Sequence, residues 1–218
     1  MSVPEALRVP ELRRFPLRRR DIEASHERLR LVVPKSSQEL LKCGWSPSDL
    51  PHWADIWPSA VALARYVARG EDRFDGVSVV DLGCGVGTAG LALARRDARV
   101  VFADASPEAL AFAKFNVALN QCEGEFLAFD WSRDRLPVCD LLVLSDVAYE
   151  YRAIRPLQAQ ITAAVACGGS VWCVDPYRPT TNDLVAWMSR EFDTESDELR
   201  TSWDGKRHEI RFVRVRAS

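Results

Sequence analysis

Residues 79–90 read VVDLGCGVGTAG. An apolar run stops on Asp81, and glycines follow at Gly83, Gly85, Gly87 and Gly90. Glycines placed just after a strand let the backbone turn tightly and approach a ligand closely. Phosphate is the usual guest of such a turn, and a carboxylate beside it would repel phosphate. Acids also close the later apolar runs, at Asp104, Asp130, Asp146 and Asp175. Five carboxylates at one rim repel one another unless something offsets them. The chemistry asked for is a ligand that needs close backbone and carboxylates together.

The elements that must position these residues follow from the hydrophobic pattern. From residue 77 onward short apolar runs alternate with helical segments. Strands are expected at VSVVDL, RVVFAD, EFLAFDW, DLLVLSD and SVWCVDP, and all five carry one of the acids at the carboxyl end. Helices are expected at TAGLALARRD, SPEALAFAKFNVALNQ, PLQAQITAAVACGG and LVAWMSREF. Ser106 is placed as an N-cap, with Pro107 at the first helical position. An earlier helix starts at Pro58, carries an apolar face through Val61, Leu63, Ala64 and Val67, and stops at Gly70. The tail reads as two strands joined through Asp204-Gly205. Near-continuous apolar strands separated by helices imply a parallel sheet covered on both faces. The expected fold is α/β: a Rossmann-like seven-stranded, mostly parallel sheet, with one antiparallel strand near the C-terminus and helices on both faces. Ligands of such sheets sit beyond the carboxyl ends of the strands.

Residues 1–50 read as an N-terminal extension with a short strand, LRLVVP at 29–34, and 51–218 as the main domain. The first 30 or so residues are rich in arginine mixed with acids. They suit either a solvated lead-in or a surface for an acidic macromolecular substrate. The 218 residues are 47% hydrophobic and 28% charged, with a net charge of −2, so neither nucleic acid nor a membrane is called for as the main partner. Nucleic acid as substrate is further disfavoured because no Asn-Pro-Pro-Tyr type element is present. The three histidines are scattered, so no metal site is expected. The six cysteines lack CxxC spacing and read as reduced core thiols. The N-terminus has no signal-peptide h-region, which makes the cytoplasm the expected compartment. Oligomeric state is left open.

Two registers fit the glycine turn. Gly85, Gly87 and Gly90 match the dinucleotide fingerprint GxGxxG, which implies an NAD-dependent oxidoreductase. In the other register Asp81-Leu82-Gly83-Cys84-Gly85-Val86-Gly87 resembles the S-adenosylmethionine (SAM) turn of the seven-strand methyltransferases. That cofactor carries an ammonium, a carboxylate, a sulfonium and a ribose diol in place of phosphates. The resemblance implies that Asp81 and turn carbonyls face the ammonium while a backbone N–H takes the carboxylate. It places Asp104 on both ribose hydroxyls, as an acid is in nucleotide-binding Rossmann sheets, with Ala105 alongside. It brings Asp130 to the adenine amino group and packs Trp131 by the ring.

From about residue 30 onward the chain is similar to a narrower subgroup. This subgroup holds protein-lysine methyltransferases, such as those acting on the electron transfer flavoprotein β subunit, and nicotinamide N-methyltransferase-like proteins. Trp53 with Trp57-Pro58, Ser145-Asp146-Val147-Ala148-Tyr149-Glu150 and Asp175-Pro176-Tyr177-Arg178-Pro179 carry the resemblance. It implies that Asp146 and Tyr149 position a substrate amine, that Ser145 adjoins the cofactor, and that Trp57 walls the cofactor or substrate channel. Burial beside Tyr149 and Trp57 is expected to depress the amine's pKa, against the opposite pull of Asp146. The implied activity is SAM-dependent N-methylation of a protein lysine. A small-molecule amine and a non-catalytic SAM-binding module are the rival readings.

Overall fold

A computed structural model describes residues 3–6, 8–41, 44, 46, 51–70 and 73–216. The apolar runs become β3 (Ser78–Leu82), β4 (Arg99–Asp104), β5 (Glu125–Ala128), β6 (Leu141–Ser145) and β7 (Ser170–Asp175). The tail adds β8 (Thr194–Trp203) and β9 (Lys206–Val215). The seven strands pair in the order β5-β4-β3-β6-β7-β9-β8. Pairing is parallel from β5 to β7, and β9 runs antiparallel to both of its neighbours. The chain therefore reverses direction across the sheet between β3 and β6, which is where a doubly wound sheet opens a ligand crevice.

Both faces of the sheet are covered. Along β3 and β6, Val79, Leu141 and Val143 join one core, and Val80, Leu82, Leu142 and Leu144 join the other. Successive strand residues point to opposite faces, so burial on both sides needs an unbroken apolar run. The first core is closed by α3 (Pro58–Arg69), α4 (Thr88–Ala94) and α5 (Pro107–Leu119). The second is closed by α6 (Tyr151–Ala166) and α7 (Pro179–Glu191). Pro58 and Pro107 each open a helix, and Ser106 caps α5 by accepting from Ala109 N–H.

Three boundaries differ from expectation. Helix α6 begins at Tyr151 rather than Pro156, because buried Ala153 and Leu157 anchor an extra turn to the second core. Its Pro156 gives up one backbone bond inside the helix. Helix α7 begins at Pro179, where Thr180 Oγ1 donates to the Ala148 carbonyl and ties the polar first turn down. Strand β5 stops at Ala128, since Asp130 N–H donates to Asp134 Oδ2 and the chain turns there.

The N-terminal region is more ordered than a solvated lead-in. A hairpin of β1 (Leu17–Ala24) and β2 (Glu27–Pro34) pairs antiparallel through eight residue pairs. Ile22, Leu29, Leu31, Val32 and Val33 are buried in the first core. The arginine-rich composition of β1 hid its period-2 alternation. Asn116 and Asn120 on α5 fix the hairpin: Asn116 Oδ1 accepts from Val32 N–H at 2.8 Å, and Asn120 Oδ1 from Arg30 N–H at 2.9 Å. Asn116 Nδ2 also donates to the Val86 carbonyl at 3.0 Å, so one side chain links hairpin and glycine turn. Cys84, Cys139 and Cys173 are buried thiols, Cys122 is partly buried and Cys167 is exposed; Cys43 lies outside the described residues.

Candidate active site

After β3 the chain turns with Gly83, Gly85 and Gly87 all at positive φ. A Cβ on Gly83 would lie 2.7 Å from Val147 Cγ1 and 3.1 Å from Trp131 Cζ3, so only glycine fits. The Gly83 and Cys84 N–H groups donate to the Ala103 carbonyl at 2.8 and 3.1 Å, which ties the turn to β4. Gly85 N–H donates to Asp104 Oδ2 and Ser106 N–H to Asp104 Oδ1, both at 2.9 Å. A carboxylate offers about four acceptor positions. Gly85 and Ser106 take two here and the Ala105 N–H also faces the carboxylate, which leaves acceptor capacity for a ligand hydroxyl.

Asp81 is only 1% exposed, and its Oδ2 accepts from Gly90 N–H at 2.8 Å. Burial pushes its pKa up to about 7; the Asp104 charge adds to the rise and the Gly90 bond opposes it. Burial raises Asp104 as well, against the N–H groups of Ser106, Gly85 and Ala105. Buried Asp81 and half-buried Asp104 line the same cavity and would hold a cation well.

A cavity of about 530 Å³ opens over this turn. That volume is in the range of small-molecule and cofactor sites. Asp81, Gly83, Gly85, Asp104, Ala105 and Trp131 line it, as do Trp57, Ser145, Asp146 and Tyr149. Two of the expected site residues do not line it. Gly87 is the N-cap of α4, where an added Cβ would meet Ala113 Cβ at 3.1 Å; it serves helix packing. Asp130 is spent on its own turn: Oδ1 accepts from Ser132 N–H and Oγ at 2.9 and 2.6 Å, and Arg133 lies 3.4 Å from Oδ2. Those contacts hold its pKa below the ordinary value. Trp131 keeps its place because Gln160 Nε2 on α6 donates to the Trp131 and Asp134 carbonyls at 2.8 and 2.9 Å.

The rim is less acidic than the five strand-end carboxylates suggest. Asp175 is bound by Arg211 Nε and Nη2 at 3.1 and 2.9 Å, and Asp146 by Arg178 Nε and Nη2 at 3.2 and 3.0 Å. Asp146 has a left-handed φ of 59° and a side chain 1% exposed, and its Oδ2 accepts from Ser59 N–H at the start of α3. Burial drives its pKa above the ordinary carboxylate range, while Ser59 and Arg178 pull it back. The Arg178 guanidinium also lies 5.1 Å from the Trp57 ring centroid. Both surfaces assigned to a substrate cation, the carboxylate and the aromatic face, thus contact an arginine of the protein. Tyr149 sits at the mouth, 39% exposed, with its ring centroid 4.8 Å from that of His52. It forms a rim and supplies little of the dry burial expected of it.

Among the lining residues to which sequence reasoning gave no site role, three matter most: Arg178, Thr88 and His52. Arg178 stood in a quoted element without a role; its pairing with Asp146 across 32 residues leaves no local signal. Thr88 follows the last turn glycine, and His52 precedes Trp53. Thr88 Oγ1 and Ser145 Oγ are buried at the cavity with no hydrogen-bond partner in the protein. Buried polar atoms are nearly always paired, so these two are open positions for a polar ligand.

A family model described as lysine methyltransferase matches residues 52–183. The chain belongs to that family. The matched segment holds nearly the whole cavity, from the Trp53–Trp57 segment through the glycine turn to Asp146, Tyr149 and Arg178. The chain is 32% identical over 159 residues to the electron transfer flavoprotein beta subunit lysine methyltransferase of Rattus norvegicus, covering 69% of this chain and 60% of the relative. It is 31% identical over 159 residues to a histone-arginine methyltransferase of Mus musculus, covering 69% and 59%. The family resemblance accordingly reaches beyond lysine-directed members. The chain spans little more than half the length of the curated relatives it matches. Among solved structures, magnesium protoporphyrin IX methyltransferase from Synechocystis with bound SAM aligns with a TM-score of 0.56 at 20% identity, over 72% of this chain and 77% of the other. A Thermus thermophilus 16S rRNA methyltransferase in complex with AdoMet and guanosine aligns at 0.58 with 16% identity, over 93% and 51%. These two share the fold. No helix among the described residues is long and apolar enough to cross a membrane.

Proposed function

We propose that this protein binds SAM in the cavity above the glycine turn and methylates the ε-amine of a lysine on a protein acceptor. The observation that carries the reading is that one cavity gathers residues suited to the cofactor and residues suited to the acceptor amine. Asp104, with acceptor capacity to spare, and buried Asp81 line it together with Asp146 and Tyr149. The orphaned Thr88 and Ser145 hydroxyls fit a ligand with several polar groups. When bound, SAM supplies an activated methyl group on a sulfonium.

The chain's own residues then have four tasks. Asp104 holds the ribose hydroxyls, with Ala105 next to it. Asp81 faces the ammonium, and Gly83 and Gly85 let the backbone come close to the amino-acid end. Trp131 packs beside the base. Asp146, Tyr149 and Trp57 hold the acceptor amine in line, and such positioning supplies up to roughly 7–11 kcal/mol.

The acceptor must arrive as the free base. A lysine amine titrates about 3.4 units above neutrality, so deprotonation costs about 4.6 kcal/mol at pH 7. A bare carboxylate at Asp146 would raise that cost. Arg178 neutralises Asp146 and presents the amine with an ion pair instead of a lone negative charge. The proton leaves to water at the open mouth, and the methylated ammonium product is stabilised by the Trp57 and Tyr149 rings. Asp130 has no direct cofactor role in this reading. A cytoplasmic setting is part of the proposal, supported by the five cysteines among the described residues, all free, which a reducing compartment would preserve.

The test is incubation of the purified protein with methyl-labelled SAM and an extract of the source organism, followed by mass spectrometry of labelled peptides. Label on lysine, lost in Asp146→Asn while SAM affinity persists, is the expected result. Label confined to small molecules or to arginine refutes the acceptor assignment. Label nowhere, with SAM bound, favours a non-catalytic binding module.

A further inference from the structure

We propose that an arginine-lined groove between α3 and the β8–β9 hairpin docks an acidic segment of the protein acceptor, a reading that rests on the function proposed above. The groove holds a cavity of about 820 Å³ lined by Arg65, Arg69, Arg200, Arg207 and His208, with Glu209 as the one acid in its wall. Among the described residues, Arg69 and Arg207 are exposed and take part in no ion pair. Arg65 is held by neutral acceptors only: the Glu23 carbonyl at 3.1 Å, the Ser202 carbonyl at 2.9 Å and the Thr201 hydroxyl. Its partial burial and the Arg69 charge both push its pKa down, the sign of positive charges crowded without a counter-ion. Arg200 pairs with Glu198 at 2.9 Å at the groove's outer edge.

The groove and the active cavity are neighbours through an intervening hollow with which each shares lining residues. His208 also lines this second hollow of about 340 Å³, together with Arg18, Arg20, Lys206 and Trp57 and two acids, Asp55 and Asp204, the latter paired with Arg20. Trp57 is a wall of the active cavity. Bases outnumber acids in both hollows beside the active cavity, in a protein whose net charge is −2. The hairpin joins in through Arg18 and Arg20, which gives part of the arginine-rich N-terminus a surface to build.

Charge complementarity selects an anionic partner, and the lining selects protein over nucleic acid. Single-stranded nucleic acid is held by basic grooves that also offer exposed aromatic faces for base stacking. Here Trp203 is buried beneath Arg20, and Tyr66 packs edge-on against Trp172 and Phe212. From Ala60, at the active cavity, to Arg69 the helix rises about 14 Å. Ala60 and Arg69 face opposite sides of α3, so the surface path exceeds this rise, and the acidic stretch falls at least about four positions from the target lysine.

The experiment measures binding by fluorescence anisotropy, with no methyl transfer required. The probe is a labelled peptide bearing one lysine and four glutamates that begin four residues away; its control replaces the glutamates with glutamines. An exposed charge pair is worth up to roughly fivefold in affinity, so a glutamate peptide that engages Arg69 and Arg207 should bind the wild-type protein tighter by up to about 25-fold in low salt. The preference should shrink as ionic strength rises, because the Debye length falls. Arg69→Glu/Arg207→Glu should abolish the preference while SAM affinity and the circular dichroism spectrum stay unchanged. Equal binding of both peptides, or a preference that survives the double reversal, overturns the proposal. An oligouridylate of equal charge that binds as tightly, with the same arginine dependence, overturns the protein assignment. Loss of methyltransferase activity would leave the peptide result standing, so the two readings fail separately.

Discussion

Replacing Arg178 with methionine removes the counter-charge of a carboxylate whose side chain is 1% exposed. Breaking one member of a buried pair typically costs about 3–5 kcal/mol, because the other charge is left uncompensated. Arg178 itself is 30% exposed, so solvent already screens part of the interaction, and the discounted expectation is about 2–3 kcal/mol. For a chain of this length that corresponds to a fall in Tm of roughly 5–10 °C. Only Ser59 N–H, at 3.3 Å, would still support Asp146. The sign with pH follows. Burial already holds the folded pKa of Asp146 above its unfolded value, and losing Arg178 raises it further. A carboxyl with a raised folded pKa loses stability as pH climbs from the unfolded value through the folded one. The Arg178→Met defect should therefore be largest at neutral pH and shrink below about pH 4, where both states bind the proton. The assay is urea denaturation at several pH values for the wild type, Arg178→Met, Asp146→Asn and the double variant. Asp146→Asn should recover most of the loss in the Arg178→Met background. A loss below about 1 kcal/mol, or additive effects in the cycle, would refute the claim that Arg178 is there to neutralise Asp146.

Further outcomes follow from the cofactor wall. Asp104→Ala should weaken SAM binding by roughly 2–3 kcal/mol, read by calorimetry, since it removes charged acceptors from two hydroxyls; unchanged affinity would overturn the ribose assignment. Asp81 titrates at about 7 through burial, and an ammonium beside it favours the ionised form. SAM affinity should therefore rise as pH climbs toward and through 7, with proton release measurable by calorimetry in buffers of different ionisation enthalpy; binding without proton release at pH 6 would contradict this. Gly83→Ala should cost about 1–3 kcal/mol of stability and lower SAM affinity, because the new methyl meets Val147 at 2.7 Å from a left-handed backbone. A fully stable Gly83→Ala protein with normal affinity would show that the turn has more room than its packing indicates.

What the sequence determined by itself was local and periodic. The runs around Val79, Val101, Leu142 and Val171 are apolar on consecutive residues, and only a strand covered on both faces needs that. Pro58, Ser106-Pro107 and Asp204-Gly205 mark element ends through backbone geometry that neighbours do not alter. Gly83 and Gly85 announced a turn that must approach a ligand, and Asp104 could be placed because it ends the adjacent parallel strand. Tertiary structure decided everything that depends on distant partners. It alone set whether a strand-end acid stays free: Asp104 keeps acceptor positions, Asp146 and Asp175 are taken up by Arg178 and Arg211, and Asp130 folds back on its own turn. It turned the arginine-rich β1 into half of a buried hairpin through Asn116 and Asn120, more than 80 residues away. Periodicity records which face of an element is buried, but not which charges meet when the elements pack. The cavity's charge balance is therefore a property of the fold.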